Sequence, residues 1–387
     1  MASKLDLPPE LVDKIVRELR TDIPALCTCA LISRDFLPWS RLHPFSSVRL
    51  TGGNNDGFHA LIASSPAVAS YVRRLDMPRT GSALLPSESM ARLPNLTELS
   101  THCDPFGFRH LSAGQHGILS DTTRHLTSVE LSIDHRFWTL PEWAALLNGC
   151  AALTDLAAAP RLRTVRISGN CKVLVPLGAW LVPSGFLAAL HTLAIDVIYT
   201  LNDALNDAPD RLPPLVLAGA ASLQVLTLNL GDYPPLTAMP LSTPADVPNS
   251  LASFPLLHTL HLKDAPGPIA EFGTSLRWLA VFLHAPTAVP LTGHITPADS
   301  ALESISLAHS LGRRDIDDAV RDIDAVPPSI WRALEAALVA VPRLRALTFR
   351  YEKYSVGSAS GAFAYFAGTV RERLAGLEAR GVLRTVQ

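Results

Sequence analysis

One apolar pattern recurs from residue 45 to residue 349 and restricts the fold more than any other feature of the chain. The pattern is L-x-x-L-x-L, with a large apolar residue at positions 1, 4 and 6, and its last half predicts a short strand with one buried face. Matches begin at Phe45, Val72, Leu126, Leu162, Leu190, Leu223, Leu257, Leu276, Leu302 and Leu344, and a partial match begins at Leu96. The sequence therefore predicts a series of strands that recur, irregularly, about every 30 residues.

Local features around the matches support this interpretation better than their number does. A chain this apolar would contain on the order of ten matches by chance. Four matches, however, carry a proline two residues before the first leucine, at Pro94, Pro160, Pro255 and Pro342. Some intervening segments, such as residues 143–147 and 330–339, have the pattern of helices or turns. Strands alternating with helices are therefore expected.

Composition excludes several classes of protein. The chain has 387 residues, of which 48% are hydrophobic and 18% charged, which predicts an ordered protein larger than one compact core. The formal net charge of -2 indicates no general attraction to nucleic acid or to an anionic membrane, although a local basic patch stays open. Five scattered cysteines do not form a disulfide framework. Without a signal-peptide pattern or a long apolar run, we expect a soluble protein of the cytoplasm, the nucleus or both.

The first 45 residues show helical periodicity instead of the repeat. Residues 7–19 predict a helix with proline at its start and an apolar stripe that includes Leu11 and Ile15. A second helix is predicted from Pro24, and a third is predicted to bend or end at Pro38. Three short helices bury little apolar surface alone, so the rest of the chain or a partner must cover the surplus.

The N-terminal residues resemble an F-box. The resemblance lies in Leu7-Pro8-Pro9-Glu10-Leu11, in the run Ala30-Leu31-Ile32-Ser33-Arg34 and in Trp39, and residues 37–45 resemble the F-box proteins common in mushroom-forming fungi. F-boxes dock on a Skp-type adaptor of cullin-based ubiquitin ligases. The resemblance implies that this contact is made or supported by Leu7, Pro8, Leu11, Ile15, Leu31 and Trp39. The alternative is that these residues only close a small helical cap on the repeats.

The apolar repeat resembles a degenerate leucine-rich repeat of the kind that follows many F-boxes. The resemblance implies an α/β fold, in which a three-helix F-box, residues 5–44, precedes an irregular solenoid, residues 45–387, with a curved, mostly parallel sheet and helices on its convex side. That family often places Asn or Cys three residues after the third apolar position, and only Asn170 does so here, so an uneven arc is expected. Because the match at Phe45 already forms the first strand, no free linker is expected.

Alternation along each strand selects the residues that face away from the buried side. In a solenoid this column is the default ligand surface. Two large aromatics in it, Trp278 and Phe282, either anchor a partner or are covered by a loop or by the C-terminal segment. The candidate target-binding residues are Arg74, Asp76, Glu98, His102, Glu130, Arg166, His261, Lys263, Trp278, Phe282 and Arg350.

The remaining segments suggest no chemistry. Residues 233–248 are rich in proline and are predicted to be an exposed excursion. The aspartates of residues 311–328 lack the glycine of a calcium loop and are offset by arginines, which favours a solvated helix or loop over a cation site. The C-terminus predicts a capping helix over residues 362–380, a stop at Gly381 and a last strand at 382–386. No nucleotide-binding or metalloprotease motif occurs, so neither catalysis nor a cofactor is expected.

Together these features favour a non-enzymatic function in protein recognition. The resemblance implies a substrate-recognition subunit of an SCF-type (Skp–cullin–F-box) ubiquitin ligase, in which the helices dock the adaptor and the repeats bind a protein target. The expected partners are the Skp-type adaptor, through it a cullin ligase, and an unidentified protein target, without nucleic acid or membrane. The alternative is a non-catalytic leucine-rich-repeat scaffold with no link to ubiquitin transfer.

Overall fold

The chain folds into two compact units, Met1–Leu162 and Arg163–Gln387, called unit 1 and unit 2 here. The computed structural model describes residues 7–19, 22–32, 36–51, 53–77, 92–103, 125–133, 161–170, 189–198, 216, 219–229, 251, 254–263, 276, 279–280, 282–283, 300–310, 323–352 and 360–387. Each unit is α/β, and every strand pairing described within a unit is parallel, which confirms the predicted α/β class.

Unit 1 begins with helices and continues with strands whose order in the sheet follows the chain. Its helices are α1 (Pro9–Glu18), α2 (Ile23–Ile32), α3 (Leu37–Ser46), α4 (Asn55–Ser64) and α5 (Pro66–Ala69). Its strands are β1 (Ser47–Arg49), β2 (Arg74–Asp76), β3 (Glu98–Cys103) and β4 (Ser128–Ile133).

Unit 2 has the same sequential strand order and ends in helices and a last strand. Its strands are β5 (Thr164–Asn170), β6 (Thr192–Ile198), β7 (Val225–Asn229), β8 (Thr259–Lys263), β9 (Ser304–Ser310), β10 (Ala346–Glu352) and β11 (Leu383–Val386). The helices bounded in its described part are α6 (Pro328–Val339), α7 (Ser360–Arg373) and α8 (Ala375–Ala379).

The repeated apolar positions form buried columns that run from strand to strand. In unit 2 the central position of the pattern lies in register on six successive strands, and Leu383 of β11 extends this column although β11 carries no match. These side chains are buried: Val165, Leu193, Leu226, Leu260, Ile305, Leu347 and Leu383. The backbone before each strand continues this stacking, since the amide of Gln224 donates to the carbonyl of His191 and that of His258 to Gln224. Each strand contributes its apolar residues to these buried columns, and this burial explains why the pattern predicts the strands.

The match at Leu276 is the exception, and its predicted strand is wrong. Residues 276, 279–280 and 282–283 are helical, and Leu276, Leu279 and Leu283 are buried. The spacing 276, 279, 280 and 283 is the i, i+3, i+4, i+7 spacing of a helix face. The even positions 280 and 282 are also apolar, so the alternation that a half-exposed strand requires is missing.

The junction between helices and strands also differs in detail from the sequence prediction. Pro38 neither bends nor ends α3, because it lies in the first helical turn, where a missing N–H costs no hydrogen bond. The helix continues to Ser46, so Phe45 belongs to α3, and β1 follows directly at Ser47. The carbonyl of Ser46 accepts a hydrogen bond from the amide of Arg73, just before β2.

The prediction of helix, stop and last strand at the C-terminus is confirmed, but the structure divides the predicted helix 362–380 into α7 and α8. Phe366 and Val370 are buried along α7, and Leu374 is buried between the two helices. Gly381 then ends α8 with a φ of 69°, its amide bonds to the carbonyl of Glu378, and the amide of Val382 bonds to that of Leu377. This is a Schellman arrangement, which requires a left-handed residue at its centre.

Gly381 and Gly368 should respond to alanine in opposite directions. Gly381→Ala is expected to lower the free energy of unfolding by about 1 kcal/mol, because an L-residue is strained at this φ. Gly368→Ala, in the interior of α7 with open space around the new methyl group, is expected to raise it by about 0.5 to 1 kcal/mol. Urea denaturation of both variants measures the difference, and equal effects would contradict the described turn.

Candidate protein-binding surfaces

The three N-terminal helices share a small core that determines which of their residues stay exposed. Val12 and Val16 of α1, Leu26 and Cys29 of α2, and Phe36 beside α3 are buried together. Helical periodicity then turns Leu11 and Ile15, each one residue before a core valine, away from that core. A 3.5 Å contact between Asp13 and His43 Nε2 joins the polar side of α1 to α3. Asp13 also pairs with Arg17 within α1, at 2.8 Å.

The residues predicted to bind an adaptor divide into exposed and supporting groups. Leu11 is 47% exposed, Ile15 41% and Leu31 88%, and Pro8 at the start of α1 is also exposed. Leu7 and Trp39 are half-buried and pack against the small core, which places them in a supporting position. Ile32, which the sequence interpretation missed, is 61% exposed beside Leu31. Its signal was present in the sequence as a second large apolar residue at the end of α2.

The second candidate surface is the face of the strands opposite the buried columns, called the polar face of each unit. In unit 1 one arginine of this face, Arg74, is paired with carboxylates on its own strand and on the next strand. Arg74 Nε donates to Asp76 at 3.1 Å, and its Nη1 donates to Glu98 on the next strand at 3.3 Å. Partial burial, the largest single influence, lowers the pKa of Arg74, but these carboxylates and Glu130 outweigh it and raise the pKa above its ordinary value. Arg74 is therefore held within an intramolecular network.

In unit 2 three cations that the sequence predicted for target binding lie exposed on the polar face: Arg166, Lys263 and Arg350. Lys263 on β8 and Arg350 on β10 are exposed, and both lie in register with Ala308 on the strand between them. His261 on β8 is half-buried, and burial, followed by the positive charges of Arg350 and Lys263, lowers its pKa below the ordinary value of 6.5. Arg166 is exposed on β5. The structure thus brings His261, Lys263 and Arg350 together, as a cluster that separate sequence positions could not define.

The lowered pKa of His261 makes unit 2 sensitive to acid. In the unfolded chain His261 takes up a proton near pH 6.5, whereas the folded protein resists protonation to a lower pH. Stability that is present above pH 6.5 is therefore lost as the pH falls through the folded-state pKa. We expect the free energy of unfolding to fall less between about pH 7 and pH 5 in His261→Gln than in the wild type. Parallel urea titrations at several pH values measure this, and identical pH profiles would contradict it.

Of the two aromatic residues predicted to bind a target, Phe282 is described by the structure and Trp278 is not. The prediction that Phe282 lies on an exposed strand face is wrong, because it is 1% exposed and its ring lies 5.6 Å from that of Phe254. The physical reason is the helical conformation around residue 282, which turns this ring into the core. Trp278 lies outside the described residues. His102 lies on β3 in register with Ser132, but its side chain is also outside the description.

The last strand adds one cation that the sequence interpretation missed. Arg384 on β11 is exposed and lies in register with Thr348, which places it on the polar face of unit 2. The preceding buried pair, Val382 and Leu383, interrupts simple alternation and hides this position from sequence analysis. The register with β10 was needed to find it.

Within the described part of the chain, no group of three or more His, Cys, Asp or Glu side chains could hold a metal ion. Among the same residues, no helix combines the length and the apolar character needed to span a bilayer. No protein-family model matches the chain, and no curated protein matches it. The case for a function therefore comes from the two surfaces themselves.

Proposed function

We propose that the chain is a non-catalytic substrate-recognition subunit of a Skp–cullin–F-box ubiquitin ligase. In this proposal the N-terminal helices dock a Skp-type adaptor and the polar faces of the strands hold a protein target for ubiquitin transfer by other subunits. The observation that carries the proposal is the exposure of Leu11, Ile15 and Leu31 on helices whose other sides are packed. These are positions that the F-box resemblance implies for the adaptor contact.

The exposed leucines and isoleucines of α1 and α2 are better explained by a protein interface than by a role in the fold. Scattered exposed apolar residues are normal, but four large ones on two short helices are unusual for a surface that stays in water. Full burial of an exposed leucine or isoleucine is worth roughly 1.5 to 3 kcal/mol, and Leu11 and Ile15, already about half buried, can gain roughly half of that. Leu31 and Ile32 are more exposed and can gain more, so these four residues can contribute apolar energy to a protein contact.

The direct connection between α3 and β1 supports a positioning function. A ligase subunit must hold its target at a defined distance from the adaptor. In this chain α3 ends at Ser46, β1 begins at Ser47, and the Ser46 carbonyl is bonded to the segment before β2. The helices that would carry the adaptor are thus hydrogen-bonded to the first strands of the same unit.

Co-purification tests the proposal. The full chain is expressed together with a Skp-type adaptor and purified by its own affinity tag. We expect the purified sample to contain one adaptor molecule per chain. A well-folded chain that recovers no adaptor would refute adaptor docking and support the alternative, a repeat scaffold outside ubiquitin transfer. Circular dichroism and cooperative unfolding of the same sample establish that the chain is folded.

A further inference from the structure

Three adjacent strands of unit 2 form a shallow basic notch. Lys263 on β8, Ala308 on β9 and Arg350 on β10 lie in one register row, and His261 and Ser306 lie in the row before it. Neighbouring strands are about 4.8 Å apart, so the backbones that carry the two cations are separated by about 10 Å. Two long basic side chains therefore stand on either side of a floor of small residues.

No ion pair within the described part of the chain uses the two basic charges of this notch. Lys263 and Arg350 are exposed, and neither takes part in an ion pair within the described residues. Asp196, a carboxylate of the same face, lies two strands from Lys263 and accepts a hydrogen bond from Asn229 at 2.6 Å. Arg74 in unit 1, by contrast, is occupied by Asp76 and Glu98.

We propose that this notch binds an acidic peptide segment of the target protein, with carboxylates pairing to Lys263 and Arg350. The inference deepens the target-binding half of the proposed function and rests on it. Charge complementarity carries the assignment, because two exposed cations that have no ion pair among the described residues can each meet one carboxylate of an extended chain. Ser306 and Ala308 place only small side chains on the strand between the two cations. The field of both cations at the half-buried His261 ring agrees with this arrangement.

An acidic peptide fits the notch better than a nucleic acid does. Single-stranded nucleic acid is bound by a track of cations together with aromatic side chains on which bases stack. Glu352 ends β10 on the same face, but its side chain lies outside the part of the chain that the structure describes. Among the described side chains on the polar face of β8, β9 and β10, all are small, hydroxylic or cationic except the ring of His261. The net charge of -2 also opposes binding of a long polyanion.

Fluorescence anisotropy with the full-length protein tests the inference. The probe is a labelled peptide that alternates glutamate with serine, and its control alternates glutamine with serine. We expect the glutamate peptide to bind and the double variant Lys263→Gln/Arg350→Gln to bind it about tenfold more weakly. Arg332→Gln/Arg343→Gln removes the same charge from exposed positions outside β8–β10 and is expected to bind as the wild type does.

Three results would overturn the inference: no binding of the glutamate peptide by the wild type, unchanged affinity in Lys263→Gln/Arg350→Gln, or tighter binding of a single-stranded RNA through the same two residues. The last result would assign the notch to nucleic acid. The assay contains no adaptor, so it succeeds or fails independently of adaptor docking. A chain that recovers the adaptor but binds no peptide would refute only the notch.

Discussion

Replacing Leu11 with glutamate and Leu31 with lysine in one chain is expected to weaken capture of a Skp-type adaptor by at least about 100-fold. Both side chains are exposed, at 47% and 88%, so their loss removes apolar area from the partner surface and not from the core. Placing two charges in a desolvated interface adds to that loss. The pair of substitutions leaves the formal net charge of the chain unchanged.

The fold of this variant should be intact. Substitutions at exposed helical positions usually change the free energy of unfolding by about 0.5 kcal/mol or less, and glutamate and lysine are good helix formers. Glutamate also suits the N-terminal half of α1 and lysine the C-terminal end of α2. The matched control is Leu256→Glu/Val339→Lys, which makes the same change at two residues of unit 2 that are each 50% exposed. Quantitative pull-down of the adaptor should separate the two variants, and equal recovery by both would contradict the assigned surface.

The substitution Phe349→Ala is expected to lower the free energy of unfolding by about 3 to 5 kcal/mol. Phe349 is fully buried on β10, and its ring meets that of Phe366 on α7 edge to face at 6.4 Å. Truncation removes apolar burial and leaves a cavity between the sheet and the capping helix. Because domains are stable by only about 5 to 15 kcal/mol, this loss should be large in any denaturation curve.

Val386→Ala on the neighbouring strand is the control for that measurement. Val386 lies in register with Arg350 and is 42% exposed, so its truncation should cost about 0.5 kcal/mol or less. Urea denaturation followed by tryptophan fluorescence compares the two, with Trp331 buried in unit 2 as one reporter. If Phe349→Ala cost no more than Val386→Ala, the packing of α7 on β10 would be wrong.

Strand positions were predictable because the repeated pattern reports burial directly. A half-buried strand needs apolar residues two apart with a polar residue between them, and Leu226-Thr227-Leu228 satisfies this within one short segment. The same rule failed at residues 276–283, where apolar residues at both parities made the segment compatible with a buried helix. Local pattern alone could not decide between those two structures.

The candidate surfaces were less predictable, since they depend on contacts between residues far apart in the chain. The F-box resemblance named Leu7 and Leu11 together, but only the packed core shows that Leu7 packs against it and that Leu11 is exposed. Arg74 and Glu98 are 24 residues apart and pair because β2 and β3 are in register. Lys263 and Arg350 become neighbours across Ala308 in the same way. Which charges meet on a sheet depends on the register between strands, and the sequence of one strand alone does not determine that register.

Calorimetric titration of purified adaptor into the purified full chain measures the proposed adaptor docking without any other component. If the N-terminal helices dock a Skp-type adaptor, saturable binding with one adaptor per chain and a negative heat-capacity change are expected, because the contact would bury the apolar residues Leu11, Ile15, Leu31 and Ile32. A folded chain that shows no saturable binding at any temperature tested would refute adaptor docking.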